Sequence, residues 1–324
     1  MTPRLVALLV LALVIAVLAA LTFGSASLPL ADVVRALLTA APSTSRSIVW
    51  ELRLPRAALG IVVGAGLGMS GAALQATVRN PLAEPYLLGV SGGAAIGAVF
   101  ATVWGFGTAL VPLAAFGGAA VAVSLVLLVA RVARAPHDAR VLVMAGVVVG
   151  AFANAAILLV LAGAPAETVR GALWWMMGSL ADASWNGIGW SALYVALGGA
   201  VLLATARDIE LLALGEDAAA ALGVHVERAT RRAFLAASLV AAVTVAGAGL
   251  VGFVGLVVPA IVRALGARSA RGVMIGAAIG GAALVVGADV AARTLRAPHE
   301  LPLGAVTALL GVPFFLVQLR RARS

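Results

Sequence analysis

Ten apolar stretches, most of them close to the length that crosses a lipid bilayer, divide this sequence and constrain its fold. A transmembrane helix needs about 20 mainly apolar residues, with a range of roughly 17–25. The predicted spans are residues 5–21, 57–77, 87–104, 109–129, 141–162, 188–206, 234–250, 254–265, 273–292 and 303–319. A shorter apolar piece, residues 172–180, is expected to lie at the membrane interface. The sequence therefore predicts an all-α integral membrane protein, with residues 1–324 forming a single transmembrane domain.

The composition requires lipid as the solvent for this chain. Hydrophobic residues make up 63% of the 324 residues and charged residues 11%, whereas soluble domains carry roughly 25% charged residues. The mean hydropathy is +1.12. The first stretch follows a single Arg4 and lacks a small-x-small cleavage site. We interpret it as a transmembrane helix, with a cleaved signal peptide as the alternative.

Several functional classes are excluded by residues that the sequence lacks. It has no cysteine, and therefore no disulfide, thiolate nucleophile or cysteine metal site. All 22 basic residues are arginines, so the chain has neither a Schiff-base lysine nor a P-loop for ATP. The net charge of +9 is attributed to arginines at helix ends, and no nucleic-acid partner is expected. We predict no catalytic residue, no metal site and no cofactor bound by this chain.

Ionisable groups are scarce inside the predicted spans. Asp289 and Arg263 lie near span ends, while Gln75 and Asn154 are polar but neutral. Ion-coupled transporters usually carry acidic or histidine relays deep in the membrane, so this pattern argues against proton- or sodium-driven transport. The histidines fall in loops far apart in sequence. Neither a H-E-x-x-H motif nor a serine motif with a histidine partner is present, which argues against an intramembrane enzyme.

The arginines concentrate in alternate loops, and this bias predicts the topology. Cytoplasmic loops are enriched in arginine and lysine, and an even number of spans then places both termini in the cytoplasm. The arginines assigned to that side are Arg4, Arg79, Arg131, Arg134, Arg140, Arg207, Arg228, Arg231, Arg232, Arg268, Arg271, Arg320, Arg321 and Arg323. Arg53, Arg56, Arg293 and Arg296 fall on the opposite side. They either snorkel to lipid headgroups as ordinary anchors or serve a function.

The inner loop at residues 207–232 is the longest polar segment on the cytoplasmic side. It reads RDIELLALGEDAAAALGVHVERATRR. Glu216 and Asp217 precede a run of alanines that ends at Gly223, and this order predicts a short capped helix. The segment is either a solvated connector or a helix that docks into a cytoplasmic partner.

Glycines recur at four-residue spacing within the spans. Examples are Gly60, Gly64 and Gly68 in one span and Gly276 and Gly280 in another. Small residues at this spacing let helix backbones approach closely in lipid. We therefore predict that these glycines pack helices together.

A resemblance to a known family begins at residue 53. Residues 53–97 read RLPRAALGIVVGAGLGMSGAALQATVRNPLAEPYLLGVSGGAAIG, which closely resembles the signature of the FecCD-type permeases. These are the membrane subunits of ABC importers for iron–siderophores, haem and cobalamin. The resemblance continues in order through WWMMGSL (174–180), LALGEDAAAALGV (212–224), GFVGLVVPAIVR (252–263), GADVAAR (287–293) and ELPLGAVTALLGVPFF (300–315). It spans almost the whole chain.

The resemblance implies an assembly of several subunits. It implies ten transmembrane helices per subunit and a homodimer, or close pseudo-dimer, with the transport pathway at its interface. Two copies of an ATP-binding cassette subunit would hold the ATP and magnesium, and a periplasmic or lipid-anchored substrate-binding protein would deliver the cargo. The location would be the bacterial inner membrane. An ATPase on a separate chain accounts for the missing P-loop and makes this chain a transport subunit rather than an enzyme.

The resemblance also gives the outer arginines a role. Arg53, Arg56 and Arg293 match family positions that receive acidic residues on the two lobes of the binding protein. Guanidinium groups pair with carboxylates in a fixed bidentate geometry. Exposed pairs of this kind mainly set docking rate and orientation and are sensitive to salt. Arg296 has no match in the family pattern, and Arg170 either meets an anionic group or anchors a helix at the interface.

On the inner side, the resemblance assigns the coupling helix and the gate. The residues predicted to fit a groove on the ATPase are Leu214, Gly215, Glu216, Asp217, Ala218 and Gly223. The candidates for the cytoplasmic gate are Leu82, in NPLAEP (80–85), and His137 and Asp138. Trp174 and Met177 either line the outer pathway or anchor helices at the interface. Ala260 stands where family members often have histidine, so no role is assigned to it.

These expectations combine into one predicted function. The chain is expected to be the permease of a binding-protein-dependent ABC importer that moves a metal chelate, an iron–siderophore or haem, by ATP-driven alternating access. Cobalamin is the alternative cargo, and an ion-coupled transporter without an ATPase is a further alternative. The spans hold no histidine or tyrosine cluster, so haem would pass without firm coordination.

Overall fold

The computed structural model describes the backbone of residues 1–39, 41–134 and 138–321, and this part of the chain is helical without a β-strand. The helices, in chain order, are α1 Pro3–Thr22, α2 Leu30–Leu38, α3 Thr44–Ser47, α4 Leu54–Val78, α5 Val90–Val103, α6 Val111–Val132, α7 Ala139–Ala162, α8 Ala166–Met176, α9 Trp185–Ala204, α10 Ala206–Leu212, α11 Glu216–Ala221, α12 Val226–Ala248, α13 Val254–Ala264, α14 Ala270–Thr294 and α15 Leu303–Arg321. A π-helical turn, Ile48–Arg53, precedes α4, and 3-10 turns cover Pro85–Leu88 and Thr108–Leu110. The all-α prediction is confirmed.

Seven helices in the described part of the chain are long and apolar enough to cross a membrane, fewer than the ten spans predicted. They are α1, α4, α6, α7, α9, α12 and α14. Each predicted span coincides with a helix, but those at 87–104, 254–265 and 303–319 fall on α5, α13 and α15, whose described apolar parts are shorter. The piece at 172–180 overlaps α8, whose 11 residues extend only about 16 Å.

The helices α5 and α13 are short because their N-terminal ends are broken by left-handed residues. Gly89 has φ +77° and Phe253 has φ +67° immediately before each helix begins. Val262 lies beside Gly276 and Val258 beside Gly280. Thus α13 runs along the first half of α14 and begins beside its middle. A helix of 11 residues extends about 16 Å, whereas the hydrocarbon core is about 30 Å thick.

The pair α4 and α14 forms the centre of the bundle through backbone contact at glycine. A Cβ on Gly64 would lie 2.2 Å from the Gly281 carbonyl oxygen, and one on Gly68 would lie 2.0 Å from the Ala277 oxygen. The prediction that Gly64 and Gly68 pack helices is confirmed. On α14 this contact uses Gly281. Gly276 and Gly280 pack against α13 and α1, so the prediction that they pack helices is confirmed as well.

Burial divides the bundle into two parts. More than half of the span window is buried in α4, α12 and α14, and a third or less is buried in α1, α6, α7 and α9. We call the first group the closed part and the second group the open part. The open part carries large exposed apolar side chains, such as Phe152 and Leu159 on α7. These side chains need lipid or another protein surface to cover them.

The sequence patterns did not assign residues 23–53, and the structure places α2, α3 and the π-helical turn there. Arg46 donates hydrogen bonds to the carbonyls of Ala36 and Thr39, and the indole of Trp50 donates to Ala36, so both cap the end of α2. Pro55 lacks an N–H donor, and the backbone before it widens so that Leu54 N bonds to Val49 O. The turn leads the chain from α3 into α4.

Candidate functional site

Arg53 lies at the end of the bundle where α1 and α14 finish and α4 starts, which we call the arginine end. Arg53 is only 5% exposed, and its Nη1 donates to the carbonyl oxygens of Leu21 (2.6 Å) and Thr22 (2.8 Å). Nη2 donates to Ala26. The last carbonyls of a helix lack intrahelical partners and attract cations. Arg53 therefore caps the C-terminal end of α1.

Arg293 is also buried and also holds α1. Its Nε lies 3.0 Å from Asp289 Oδ2, one helical turn earlier on α14, and its Nη2 donates to Ala20 O at 3.2 Å. The i,i+4 spacing of Asp289 and Arg293 is the spacing at which opposite charges meet on a helix. The two arginines together satisfy three consecutive carbonyls at the end of α1.

Arg56 joins two carboxylates at the same end. Its Nε donates to Asp289 Oδ1 at 2.8 Å, and its two terminal nitrogens donate to Glu300 Oε1 (2.9 Å) and Oε2 (2.7 Å). The side chain of Arg56 is 11% exposed, Asp289 is 3% exposed and Glu300 is 43% exposed. Glu300 comes from the loop between α14 and α15, so Arg56 connects that loop to α4 and α14.

The expectation that Arg53, Arg56 and Arg293 are exposed charges is therefore wrong, because each has partners within the chain. Arg296 is exposed. Sequence reasoning noted Asp289 but missed Glu300, although the ELPLG segment was identified as a motif. The signal that was available was the i,i+4 spacing of Asp289 and Arg293. The docking role of the three arginines stays a prediction.

The opposite end of the bundle, where α4 finishes and α7 starts, contains an open cavity of about 1080 Å³. We call this the coupling end. The residues that line the cavity are Val78, Arg79, Asn80, Asp138, Ala139, Arg140, Val143, Met144, Leu214, Gly215, Glu216, Asp217 and Ala218. Asp138 Oδ1 accepts a hydrogen bond from Arg140 N at 2.8 Å and caps α7. Five of the six predicted coupling residues and one predicted gate residue thus lie around one opening.

The short helix α11 forms where the sequence predicts it, and its acidic first turn lies at this cavity. Glu216, Asp217 and Ala218 are exposed, while Ala219 is fully buried against Leu212 and Ala229. Glycines frame the helix, because Gly215 has φ +119° and Gly223 has φ +84°, both in the left-handed region. Glu216 Oε1 lies 3.7 Å from Arg79 Nη2, a loose surface pair.

Exposed leucines flank α11 on both sides. Leu214 and Leu222 are each more than half exposed. Sequence reasoning named Leu214 and missed Leu222, which follows the alanine run. Two exposed leucines around an exposed helix form a surface that a partner protein can cover.

The loop after α4 is tied to the start of α13. Leu82 is exposed, and its N–H donates to Asn80 Oδ1 at 2.9 Å, but Leu82 is not among the cavity residues. Glu84 Oε1 accepts from Phe253 N at 2.7 Å, and the Tyr86 hydroxyl accepts from Val251 N at 2.9 Å. Burial raises the pKa of the Glu84 carboxyl, and the Phe253 N–H lowers it in part. Sequence reasoning missed both side chains.

A buried polar bridge links α4 to α13. Pro259 lacks an N–H, so Gly255 O, four residues earlier, loses its helical donor. Gln75 Nε2 donates to Gly255 O at 3.1 Å and to Leu256 O at 3.2 Å, and Arg263 donates to Gln75 Oε1. Ala260, beside this proline, is buried.

The other predicted residues lie apart from these sites. Trp174 and Met177, at the end of α8, are exposed, and Met177 O accepts from Gly304 N at 3.0 Å. Arg170 pairs with Glu167 on the same helix. His137 lies outside the described residues. Within the described ranges, no group of three His, Asp or Glu side chains has the geometry to hold a metal ion.

The helical bundle, with seven helices able to span a bilayer, defines the class as a multi-span membrane protein. The chain belongs to the FecCD transport family, whose model matches residues 12–321. It is therefore a permease of the kind that serves ABC importers, as the resemblance in the sequence implied.

Curated relatives extend over most of the chain. The chain is 41% identical over 280 residues to the cobalamin import system permease protein BtuC of Halobacterium salinarum, covering 86% of this chain and 75% of the relative. It is 36% identical over 330 residues to the hemin transport system permease protein HmuU of Yersinia pestis, covering 99% and 97%. It is 38% identical over 279 residues to the vitamin B12 import system permease protein BtuC of Escherichia coli strain HS, covering 85% and 84%.

Solved structures share the fold. One, described as an inward-facing conformation of a transporter assigned to the metal-chelate type of ABC transporter, superposes with a TM-score of 0.87 at 29% identity. The match covers 99% of this chain and all of the other. PsaBC from Streptococcus pneumoniae superposes with a TM-score of 0.57 at 16% identity over 84% of this chain and 92% of the other, which shows similarity of fold alone.

Proposed function

We propose that this chain is the permease subunit of a binding-protein-dependent ABC importer that translocates a metal chelate, an iron–siderophore or haem, by ATP-driven alternating access. The observation that carries the proposal is the likeness over nearly the full length to a transporter assigned to the metal-chelate type. The hemin transport permease of Yersinia pestis, similar over 99% of this chain, supports it.

Cobalamin is the second candidate cargo. Two of the relatives are named as cobalamin or vitamin B12 import permeases, and their identities to this chain, 41% and 38%, are higher than the 36% of the hemin permease. Both cargoes are bulky chelates. A pathway with few charged groups suits them, because weak binding permits release.

Coupling to an ATPase is assigned to the cavity at the coupling end. An exposed acidic turn at Glu216 and Asp217, flanked by exposed Leu214 and Leu222, offers both charge and apolar area to a partner. We place one ATP-binding cassette subunit under each permease copy, so ATP and magnesium are held by the partner. Alternating access then follows as a rigid-body exchange between two packed states of the membrane helices.

The second copy is assigned to the exposed face of α7. This face carries Phe152, Leu158 and Leu159 and one carboxamide, Asn154. Among the hydrogen bonds of the described residues, none involves the Asn154 side chain. Asn154 is the sixteenth residue of the 24-residue helix α7, a position at which an unpaired amide facing lipid is costly. An asparagine from a second copy, or a water-filled pathway between copies, would satisfy it.

We assign the arginine end to the outer side of the bacterial inner membrane, where the binding protein docks, and the coupling end and both termini to the cytoplasm. The positive-inside distribution of arginine supports this orientation. Docking of a periplasmic or lipid-anchored binding protein, through acidic residues on its two lobes, onto the arginine end completes the proposed cycle.

Uptake by proteoliposomes tests the cargo. The permease is reconstituted with its ATPase and its binding protein and is offered haem, a ferric siderophore and cobalamin in turn. Uptake of haem or the siderophore upon ATP addition supports the proposal, and uptake of cobalamin alone selects the second candidate. Uptake driven by a proton or sodium gradient without ATP would contradict both.

Charge reversal at α11 tests the coupling. Glu216→Arg together with Asp217→Arg is expected to abolish most ATP-driven uptake, because the exposed acidic turn would no longer fit its partner. Glu227→Gln in the next helix changes a nearby carboxylate outside α11 and serves as a control. Full uptake by the doubly reversed variant would remove α11 from the coupling site.

A further inference from the structure

Arg53, Arg56 and Arg293 differ in what holds them. Arg53 is bonded to backbone carbonyls of α1 and of the turn after it, and Arg293 is bonded to α1 and to Asp289 on its own helix. Freeing either guanidinium would leave the end of α1 without its cap. Only the Arg56–Glu300 pair reaches the surface, because the Glu300 side chain is 43% exposed.

Glu300 also differs from Asp289 in that it lies in a loop rather than in a helix. It lies between Thr294, the last residue of α14, and Leu303, the first residue of α15. The backbone is held on each side of it, since His299 N donates to Arg296 O at 3.0 Å and Leu301 N donates to Ala292 O at 2.9 Å. A change of the Glu300 rotamer is therefore enough to uncover Arg56.

Arg56 would not be left without a counter-charge by this movement. Its Nε keeps the 2.8 Å bond to Asp289, which is almost fully buried. The two terminal nitrogens, now bonded to Glu300 in bidentate fashion, are the ones that become available. A planar guanidinium fork can bind a second carboxylate in the same geometry.

We propose that Glu300 occupies Arg56 as an internal substitute for a carboxylate of the docking partner, and that docking exchanges the two carboxylates. The partner is an acidic protein surface, and the inference rests on the proposed function in taking that surface to be the binding protein. Arg56 is the arginine that the partner contacts, while Arg53 and Arg293 position α1. The exchange also frees Glu300 in the loop that leads into α15, so docking changes the contacts of that loop.

The exchange predicts that removing the Glu300 charge strengthens docking. In nanodiscs that contain the permease–ATPase complex, Glu300→Gln is expected to bind the binding protein on the order of fivefold more tightly than the wild type, since one competing ion pair is lost. Arg56→Gln is expected to lower the affinity for the binding protein and to make that affinity less dependent on salt. In the Arg56→Gln background, Glu300→Gln should have no effect. Glu167→Gln, which removes the partner of Arg170 instead, is the matched control.

A second measurement follows the loop directly. The chain has no cysteine, so a spin label at His299→Cys reports on this loop alone. The spectrum of the label is expected to differ between the wild type and Glu300→Gln before docking, because the neighbouring side chain no longer holds Arg56. On addition of the binding protein the wild-type spectrum should approach that of Glu300→Gln. Glu300→Asp, which keeps a shortened carboxylate, is measured in the same folded complex. With two variants at this position, a folding defect of one of them does not decide the outcome.

The outcomes separate this inference from the proposed function. If the wild type binds the binding protein but Glu300→Gln binds equally or more weakly, the exchange is overturned and the importer function stands. If docking leaves the label at position 299 unchanged, the exchange is overturned likewise. If the wild-type complex binds no binding protein and uptake needs none, the proposed function and the exchange fall together.

Discussion

Gln75 and Asn154 are carboxamides in the interior of spanning helices, and their surroundings are opposite. Gln75, in the closed part, is 4% exposed and uses its amide on the carbonyls that Pro259 disturbs. Asn154, in the open part, is exposed and has no hydrogen bond to another described residue. The sequence offers no way to distinguish them, since both are single neutral polar residues in apolar stretches.

The difference shows in which part of the bundle buried polar groups are satisfied within one chain and in which part they need a partner outside it. In the closed part Gln75 has its partners within the same chain, because α13 packs against α4 and supplies them. In the open part an amide faces outwards, and burying it requires molecules beyond this chain. The closed part is therefore expected to respond to mutation in stability, and the open part in association.

The largest effect is expected from a side chain added between α4 and α14. Gly64→Leu forces side-chain atoms into the helix contact, since a Cβ at this position would lie 2.2 Å from the Gly281 carbonyl oxygen. Such overpacking should cost about 3 kcal/mol or prevent folding. A Cβ on Gly150 of α7 would meet nothing within 4 Å, so Gly150→Leu is the matched control. The melting temperature and the monodisperse fraction in detergent measure both. Equal losses in the two variants would contradict the division into closed and open parts.

A smaller loss is expected from Gln75→Leu. The variant leaves the Gly255 carbonyl and Arg263 without their partner, and a buried unsatisfied group costs about 1–3 kcal/mol. Asn154→Leu is the comparison, with a change in the stability of the monomer within about 0.5 kcal/mol. Thermal unfolding in detergent at low protein concentration distinguishes the two. A destabilised Asn154→Leu monomer would mean that Asn154 has an intrachain role.

The smallest effect on stability is expected from a cysteine at residue 154, but this variant locates the contact between two copies most directly. Because the native chain has no cysteine, Asn154→Cys should form a disulfide-linked dimer on mild oxidation if α7 faces a second copy. Leu11→Cys, on the exposed face of α1, should remain monomeric. Gel electrophoresis without reductant measures the cross-linked fraction of both variants. Cross-linking of Leu11→Cys instead would move the proposed interface from α7 to α1.

The sequence predicted the long helices well because apolar length is a local property. Every predicted span coincides with a helix, and the acidic start and glycine end of α11 were placed correctly from Glu216 and Gly223. The start of α12 was placed eight residues late, at 234 instead of Val226, because ERATRR is polar yet helical beyond the lipid.

What the sequence could not predict depends on contacts distant along the chain. Arg56 and Glu300 are 244 residues apart, and Gln75 and Gly255 are 180 residues apart. From the sequence, the arginines on the outer side were therefore expected to be exposed charges. In the structure, contacts with distant residues remove most of their surface from solvent. The predicted span at 254–265 begins where α13 begins, whereas the span at 87–104 was predicted to begin three residues before α5, because Pro85–Leu88 forms a 3-10 turn and Gly89 is left-handed.

The link between the loop after α4 and the start of α13 has a consequence for the biogenesis of the protein. The N–H groups of Val251 and Phe253 are satisfied by Tyr86 and Glu84, which the ribosome makes 165 and 169 residues earlier. Until residue 253 emerges, the carboxylate of Glu84 has no partner at its place in the bundle. The N-terminal third therefore cannot settle as an independent unit during synthesis, and its final arrangement in the bilayer waits for the C-terminal third to be inserted.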